Sequence, residues 1–156
     1  MPRQFKTVAV GGTFDLFHRG HRALLTKAFE VGDLVLVGLS SDEFLKKLGK
    51  PHKIASYARR LEELKTFLGE NGFLGRAEIV PLVDAYGVTL SDRRIEALVV
   101  SEETEPGARK INEKRVSLGL APLPVVTVKM VPSEDRYPIS STRIWLEEID
   151  REGNLL

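Results

Sequence analysis

The residues best suited to chemistry lie in one short stretch near the amino terminus, which reads Gly-Gly-Thr-Phe-Asp-Leu-Phe-His-Arg-Gly-His over residues 11–21. Two of the three histidines of the chain, His18 and His21, fall there on either side of Gly20. Imidazole N–H groups beside the free backbone amides of a starting helix form a site for an anion. The two glycines that open the stretch carry no Cβ atom, so they let the backbone approach a ligand closely. The pattern predicts a site for a chain of phosphates.

Two other interpretations compete with phosphate binding. One is an ordinary glycine turn with two incidental surface histidines, although two histidines around one glycine at the end of a strand are a rare coincidence. The other is a zinc site, but zinc needs three or four ligands, and the chain adds only Asp15 nearby and no cysteine. We therefore expect no metal held by protein ligands. A histidine in a solvent-facing cleft contributes little packing, so we expect replacement of His21 to spare the fold.

A second group of suitable side chains reads Tyr-Pro-Ile-Ser-Ser-Thr-Arg over residues 137–143. Hydroxyl groups, a guanidinium and the free N–H groups of a starting helix together can hold a phosphate. A serine N-cap alone is the simpler explanation, because helix capping by serine is common. Together with the histidine stretch, the pattern favours a second phosphate site formed by Ile139, Ser140, Ser141, Thr142 and Arg143.

Apolar segments alternate with helical patterns along the chain. Apolar runs predict five strands, over residues 7–10, 34–39, 77–83, 97–101 and 125–131. Helical spacing predicts helices over residues 20–31, 42–48, 57–68, 106–118 and 140–149. This alternation predicts an α/β fold with a doubly wound, Rossmann-like, five-stranded parallel sheet and helices on both faces. Ligands bind beyond the carboxyl ends of such strands, where the polar stretches fall.

Length and composition limit the class of protein. The 156 residues fit one domain, residues 1–156, which can bury a core without disulfides or metal. The absence of cysteine excludes thiolate chemistry and suits a reducing compartment. With 23 basic and 22 acidic residues, the net charge of +1 gives no electrostatic footprint for nucleic acid or a membrane surface. No signal-peptide pattern and no apolar run of ~20 residues is present, so we expect a soluble cytoplasmic protein.

The first stretch and the Ile-Ser-Ser-Thr-Arg stretch together resemble the (T/H)xGH nucleotidyltransferase superfamily. Residues 81–87, 99–104 and 110–112, which read Pro-Leu-Val-Asp-Ala-Tyr-Gly, Val-Val-Ser-Glu-Glu-Thr and Lys-Ile-Asn, are similar to archaeal and eukaryotic phosphopantetheine adenylyltransferases. The likeness covers nearly the whole chain. It implies transfer of AMP from ATP to 4′-phosphopantetheine, which gives dephospho-coenzyme A and pyrophosphate, with Mg²⁺ carried on the nucleotide.

The resemblance also implies which residues bind each substrate. For ATP, the implied set is residues 139–143 together with Gly11, Gly12, Thr13, Phe14, His18, His21, Ser101 and Glu102. For the acceptor, the implied set is Thr13, Lys50, Asp84 and Tyr86, although an ordinary turn at a strand end with a partly buried tyrosine explains Asp84 and Tyr86 equally well. The residues implied in catalysis are His18, His21, Lys47 and Lys50.

The lysine of the site is not fixed by the sequence. In this superfamily a lysine after the second strand normally reaches the reacting phosphates, and Lys50 and Lys47 lead over Lys46 and Lys53. Each of them, taken alone, is more often a solvated surface charge. Bacterial relatives carry an arginine-rich loop after the fourth strand, where this chain has Ser-Glu-Glu over residues 101–103. The acceptor phosphate therefore needs another cation.

Several functions share parts of this pattern. An FMN adenylyltransferase or a cytidylyltransferase would share the first stretch, but residues 81–87 and 99–104 argue against both. A nucleotide-binding module without turnover would keep the glycines, but it has little reason to keep both histidines, the lysines and the serine stretch. Bacterial relatives form hexamers whose packing residues cannot be carried over to this chain, and we favour a monomer.

Overall fold

A parallel sheet lies at the centre of the fold. The computed structural model describes residues 3–49, 53–129, 141, 144 and 149–155. In these ranges the strands are β1 (Phe5–Gly12), β2 (Gly32–Ser40), β3 (Ala77–Leu82), β4 (Ala97–Ser101) and β5 (Val125–Val128). All of them pair in parallel, in the order β3-β2-β1-β4-β5. The strand order therefore reverses beside β1, where β2 lies on one side and β4 on the other.

The helices of the described ranges are α1 (Arg19–Val31), α2 (Asp42–Leu48), α3 (Tyr57–Glu70) and α4 (Glu105–Ser117). The N-caps of α2 and α3 are serines, which are among the residues preferred at this position. The Ser41 hydroxyl accepts a hydrogen bond from the Phe44 amide, and the Ser56 hydroxyl accepts one from the Arg59 amide. These two caps fix the starts of α2 and α3, the two helices that follow β2. The end of β2 pairs with Gly12, the residue at the end of β1 where the histidine stretch begins to leave the sheet.

Helices cover both faces of the sheet. On one face, α1 and α3 pack against Val8, Val35 and the other core residues that point that way. On the opposite face, Ala108 of α4 packs in a second cluster with Ala9 and Leu36. Successive residues of β1 and β2 thus enter two different cores, which explains why both strands are apolar almost throughout. The predicted doubly wound α/β fold is confirmed.

Element boundaries differ from the predicted ones by a few residues. The first strand begins at Phe5 and runs on through Gly12, two residues past the predicted end. Ser141 and Ile144 are helical, as predicted, but Ile149 forms an antiparallel bridge with Leu155, so the predicted helix ends before it. Residues 130 and 131 of the predicted fifth strand lie outside the described residues. In the described part of the chain, no helix is long and apolar enough to cross a bilayer.

Candidate active site

The histidine stretch leaves the middle strand of the sheet in a tightly held turn. Phe14 and Leu16 have φ angles of 51° and 47°, in the left-handed region that costs a non-glycine residue ~1–2 kcal/mol. The Phe14 side chain is fully buried, and the buried carboxylate of Asp15 accepts a hydrogen bond from the Ala55 amide at 3.2 Å. Burial and hydrogen bonding therefore offset the backbone strain, and the turn holds one conformation beside the ends of β2 and β4.

Ser141, from the second predicted phosphate stretch, reaches this same turn. Its hydroxyl donates a hydrogen bond to the Asp15 carbonyl oxygen at 2.6 Å, across 126 residues of sequence. The two polar stretches therefore meet at the carboxyl end of β1, as the parallel sheet predicts. Ile139, Ser140, Thr142 and Arg143 lie outside the described residues.

His18 is the N-cap of α1, a position usually taken by serine, threonine, aspartate or asparagine. Its Nδ1 atom accepts hydrogen bonds from the Gly20 amide at 3.0 Å and from the His21 amide at 3.4 Å. In return, the Nδ1 atom of His21 accepts a hydrogen bond from the His18 amide at 3.1 Å. The two histidines thus form a reciprocal capping box at the start of the helix.

This hydrogen bonding fixes the tautomer of both rings. Because each Nδ1 atom accepts an N–H, a neutral ring carries its proton on Nε2. Burial, with smaller effects of Arg22 and Arg151, lowers the pKa of His18 to about 4. Burial also lowers the pKa of His21 well below 6.5, helped by His18 and Arg22. Both rings are therefore neutral at pH 7, and each has one N–H left to donate.

Gly20 is required between the histidines for a steric reason. A Cβ atom at this position would lie 2.9 Å from Cε1 and 3.0 Å from Nδ1 of His18. The His18 ring can fold over the first turn of α1 only because position 20 has no side chain. The His-x-Gly-His spacing therefore follows from the capping geometry.

Two expectations from the sequence are wrong in detail. The amides of Gly20 and His21 are not free for an anion, because His18 already bonds them. His21 also packs closely, since its ring stacks on that of His18 at 3.6 Å and touches those of Phe14 and Phe17. The anion donors that remain are the Nε2–H groups, which have no hydrogen-bond partner within the described ranges.

The glycines of the first strand make room for protein side chains. A Cβ atom at Gly11 would meet Leu82 at 3.2 Å, and one at Gly12 would meet the Phe14 ring at 3.3 Å. The expectation that these positions leave space directly for a ligand is therefore wrong for their Cβ sites. Leu82 also occupies the Cβ space of Gly38, on the neighbouring strand, and that of Gly87, which has a φ of 53°.

A small apolar cavity of about 80 Å³ lies beside these glycines, between the sheet, residues 85–89 and α4. Tyr86 lines this cavity, together with Gly11 and Leu82. Asp84 is exposed, and its carboxylate accepts hydrogen bonds from the Tyr86 and Gly87 amides at 2.9 and 2.8 Å. The structure therefore places Tyr86 at the cavity, whereas Asp84 shapes the turn that presents it.

Ser101 ends β4 and Glu102 follows it, on the other side of β1 from the lysines. The Ser101 and Thr104 side chains bond each other and each other's amides, which closes a turn before α4. The Glu102 amide donates to the Val128 carbonyl oxygen at 3.1 Å. That amide is therefore already engaged, and the exposed carboxylate of Glu102 is what this residue presents to solvent.

The structure separates the candidate lysines. Lys46 and Lys47 lie exposed on the last turn of α2. Lys53 lines an open cavity of about 290 Å³ with Asp15 and Leu16 of the histidine turn. Lys50 lies outside the described residues. Among the candidate lysines that are described, Lys53 is therefore the one beside the turn, although the sequence favours Lys50 and Lys47.

Arg60 also belongs to this region, and none of the motifs in the sequence pointed to it. Arg60 is fully buried and donates to carbonyl oxygens of the histidine turn and of β2. A signal was present in the sequence, because residue 60 lies on the apolar stripe of α3 with Leu64, Phe67 and Leu68. Charged residues on a predicted helix are ordinarily assigned to its solvent face, and this one belongs to the core.

Comparisons with known proteins show the family of the chain. A family model described as cytidylyltransferase-like matches residues 9–145. The phosphopantetheine adenylyltransferase of Methanothermobacter thermautotrophicus is 44% identical over 156 residues, which is 100% of this chain and 93% of that protein. That of Pyrococcus horikoshii is 46% identical over 152 residues, which is 97% of this chain and 96% of that protein.

A solved structure is also similar, that of a protein of unknown function from Archaeoglobus fulgidus. It has a TM-score of 0.69 and 35% identity, and the match covers 78% of this chain and 97% of that chain. The fold and the site define a nucleotidyltransferase, and the chain belongs to the cytidylyltransferase-like family. Within this family its full-length relatives are archaeal phosphopantetheine adenylyltransferases, which confirms the resemblance seen in the sequence.

The capping geometry predicts an unusual response to alanine at Gly20. In a helix, glycine to alanine normally stabilises by about 0.5–1 kcal/mol. Because a Cβ atom at position 20 displaces the His18 ring, we expect Gly20→Ala instead to lower the free energy of unfolding by about 1–2 kcal/mol, the usual value of a lost cap. Urea unfolding followed by circular dichroism measures the change.

Gly69→Ala is the matched control, because Gly69 lies in α3 with no atom within 4 Å of its Cβ site. We expect this variant to gain the ordinary 0.5–1 kcal/mol. Equal stabilisation of the two variants would contradict the position assigned to the His18 ring.

Protonation of His18 should destabilise the folded protein as the pH falls. The folded-state pKa of about 4 lies below the unfolded value of 6.5, so the unfolded state binds more protons between these values. The stabilising contribution is complete above about pH 6.5 and is lost progressively towards pH 4. Through this residue, the free energy of unfolding should fall by about 2 kcal/mol from pH 7 to pH 5.

His18→Asn serves as the comparison, since asparagine caps helices well and does not titrate. Urea unfolding of both proteins at pH 7, 6 and 5 gives the difference in free energy of unfolding. That difference should move by about 2 kcal/mol in favour of the variant as the pH falls. A difference independent of pH would show that His18 is not held neutral by burial.

Proposed function

We propose that this chain transfers AMP from ATP to 4′-phosphopantetheine, giving dephospho-coenzyme A and pyrophosphate. The observation that carries the proposal is the pair His18 and His21 at the start of α1, at the point where the strand order reverses. Two neutral rings there each offer one Nε2–H to a phosphate chain. Full-length similarity to phosphopantetheine adenylyltransferases supports the choice of substrates.

The proposed chemistry needs no general base. An oxygen of the acceptor phosphate is already anionic near neutral pH, and it forms a bond to the α-phosphorus as the bond to the bridging oxygen of the β-phosphate breaks. Pyrophosphate leaves with the electron pair. The protein therefore has to align the two phosphates and to stabilise charge on the oxygens. Neutral imidazoles suit this role because they donate hydrogen bonds without giving up a proton.

We propose that Mg²⁺ enters with ATP. In the described part of the chain, no group of three or more histidine, cysteine, aspartate or glutamate side chains is placed to hold a metal ion. Mg²⁺ commonly binds through substrate phosphates and waters with few protein ligands, so ATP itself would supply most of its ligands. When bound, the ion neutralises charge on the phosphates.

The acceptor arm is proposed to extend from the turn towards the cavity beside Gly11. That cavity is apolar and of about 80 Å³, so it fits a short apolar end of the acceptor. Tyr86 and Leu82 are among the residues that line it. We further propose that the enzyme acts as a monomer in the cytoplasm, on small-molecule substrates and without a nucleic-acid or membrane partner.

Substrate choice is tested with an activity matrix scored for pyrophosphate release. Purified protein with Mg²⁺ should convert ATP and 4′-phosphopantetheine to dephospho-coenzyme A, and the reverse reaction should run with pyrophosphate. ATP with riboflavin phosphate, and CTP with glycerol phosphate, represent the FMN adenylyltransferase and cytidylyltransferase alternatives. A higher kcat/KM with either pair would refute the proposal, and binding of ATP without turnover on any acceptor would indicate a binding module.

The role of His21 is tested by separating its two nitrogen atoms. His21→Asn places an acceptor near Nδ1 and keeps the cap, whereas His21→Gln places a donor near Nε2. Loss of one donor to a developing charge costs ~10²–10³ in kcat. We expect His21→Asn to lose about that much, while its dissociation constant for ATP changes far less. His21→Gln should recover part of kcat.

Single-turnover kinetics and ATP calorimetry on the wild-type protein, His21→Asn and His21→Gln measure these effects. His21→Ala removes both nitrogens and should also lower the free energy of unfolding, because the ring packs on His18 and Phe14. Normal turnover in the folded asparagine variant would show that Nε2 does not stabilise the transition state.

A further inference from the structure

Arg60, on the first turn of α3, is a buried cation with four protein acceptors. Its side chain has 0% exposure. The Nη1 atom donates to the carbonyl oxygens of Thr13 at 3.1 Å and Ser40 at 2.7 Å. Nε donates to the Ala55 carbonyl oxygen at 2.9 Å, and Nη2 donates to the Asp42 carboxylate at 3.0 Å. One guanidinium thus joins four separate points of the chain.

Stability alone gives a weak reason for this arrangement. Burying a guanidinium is costly, and buried ion pairs can often be replaced by apolar residues without loss of stability. The charge partner here, Asp42, keeps 52% of its side chain exposed, so the pair is only half enclosed. An apolar residue at this position would avoid the cost of burying the charge, but it would leave the carbonyl oxygens of Thr13, Ser40 and Ala55 without this donor. The arginine is therefore better explained by what it holds.

Each of the four acceptors belongs to a segment that borders the candidate active site. Thr13 lies in the histidine turn, and Ser40 is the last residue of β2. Asp42 is the first residue of α2, and Ala55 lies two residues after Lys53. The Asp42 carboxylate also accepts a hydrogen bond from the Tyr57 amide at 3.0 Å, which ties the start of α3 to the start of α2. The guanidinium and its partner carboxylate therefore fix the carboxyl edge of β1 and β2 against the connection between α2 and α3.

The hydrogen bonds around Ala55 close a ring. Its carbonyl oxygen accepts from Arg60, and its amide donates to the carboxylate of Asp15 at 3.2 Å. Arg60 in turn holds the carbonyl oxygen of Thr13, two residues before Asp15. The histidine turn and the segment that carries Lys53 are thus joined at two points, directly by the Ala55 amide and through Arg60 by the Ala55 carbonyl oxygen.

We propose that Arg60 is a positioning residue for AMP transfer, which holds the histidine turn and the lysine-bearing segment in one fixed relation. This rests on the proposed function. Because the peptide bond is planar, fixing the Thr13 carbonyl also fixes the direction of the Phe14 amide, at a residue whose φ of 51° is unfavourable. Loss of the guanidinium frees this peptide plane and the segment around Ala55, so substrates bind while the reacting groups lose their alignment.

The chain provides a matched control at the opposite end of the sheet. Arg76 also uses one guanidinium nitrogen for several carbonyl oxygens, those of Phe29, Gly32 and Asp33, at 3.2, 3.0 and 3.3 Å. These carbonyls lie around the end of α1 and the start of β2, far along the strand from the histidine turn. Replacing Arg76 therefore removes a similar set of hydrogen bonds without touching the site.

The kinetic test compares Arg60→Lys and Arg60→Met with Arg76→Lys, using ATP, 4′-phosphopantetheine and Mg²⁺. Arg60→Lys keeps the charge but cannot reach all four acceptors. We expect its kcat to fall ~10²-fold, the usual cost of small misalignment, while the ATP dissociation constant from calorimetry changes less than about threefold. Arg60→Met should lose at least as much. Arg76→Lys should keep kcat within about twofold of wild type, even if its thermal midpoint falls.

A second measurement needs no substrate. Hydrogen exchange of the free proteins should be about tenfold faster for amides of residues 13–16 and 53–57 in Arg60→Lys, and unchanged for residues 29–34. Arg76→Lys should show the reverse pattern. Because this readout involves no acceptor, a wild-type protein that fails to adenylylate 4′-phosphopantetheine refutes the proposed function and leaves the exchange result standing.

Three outcomes would overturn the positioning role. The first is a folded Arg60→Lys protein with kcat near wild type. The second is a loss of kcat in Arg76→Lys equal to that in Arg60→Lys, which would assign both losses to general destabilisation. The third is an unfolded Arg60→Lys protein at the assay temperature, because a residue needed for folding even with its charge kept is a stability residue. Failure of Arg60→Met alone to fold leaves the decision to the lysine variant.

Discussion

The capping interaction, in which the Gly20 and His21 amides donate to Nδ1 of His18, is the one on which the rest of the site depends. It sets the ring over the helix start and assigns the proton to Nε2. The same contact makes Gly20 necessary and brings His21 into stacking distance. Burial then keeps both rings uncharged. The capping contacts thus define the position and the tautomer of the two histidine rings, and burial defines their charge.

A neutral pair is well matched to a reaction between two anions. A charged imidazolium would bind ground-state phosphates strongly, and that binding would be made before the transition state is reached. Neutral N–H donors bind the ground state less and gain most as charge builds on the bridging oxygen. The connection from β1 to the two histidines contains backbone strain, because Phe14 and Leu16 have left-handed conformations there.

Much of this arrangement could be predicted from the sequence, because it follows from periodicity. Apolar strands that alternate with helices gave the parallel sheet, and a parallel sheet places the residues after each strand along one edge. The contact of Ser141 with the histidine turn is an instance of that rule. Composition and motif spacing then narrowed the chemistry to phosphate binding, and the resemblance to adenylyltransferases added the transfer of AMP.

The features that could not be predicted depend on contacts between distant segments. The capping role of His18 was missed because histidine is an unusual N-cap, and nothing in the motif shows that Nδ1 faces the helix amides. The burial of Arg60 depends on carbonyls contributed by Thr13, Ser40 and Ala55, which no local pattern brings together. The contribution of Asp84 to its turn likewise depends on the two amides that follow it.

Leu82 has a consequence for how such an enzyme can diverge. Its side chain occupies the Cβ space of Gly11, Gly38 and Gly87 at once, and it also lines the small apolar cavity. A relative with any side chain at position 38 must carry a smaller residue at position 82, because the two cannot share this volume. These positions are therefore expected to co-vary. Within the described residues none of these positions forms a hydrogen bond with His18 or His21, so we expect such exchanges to change the shape of the cavity while the capping box stays the same.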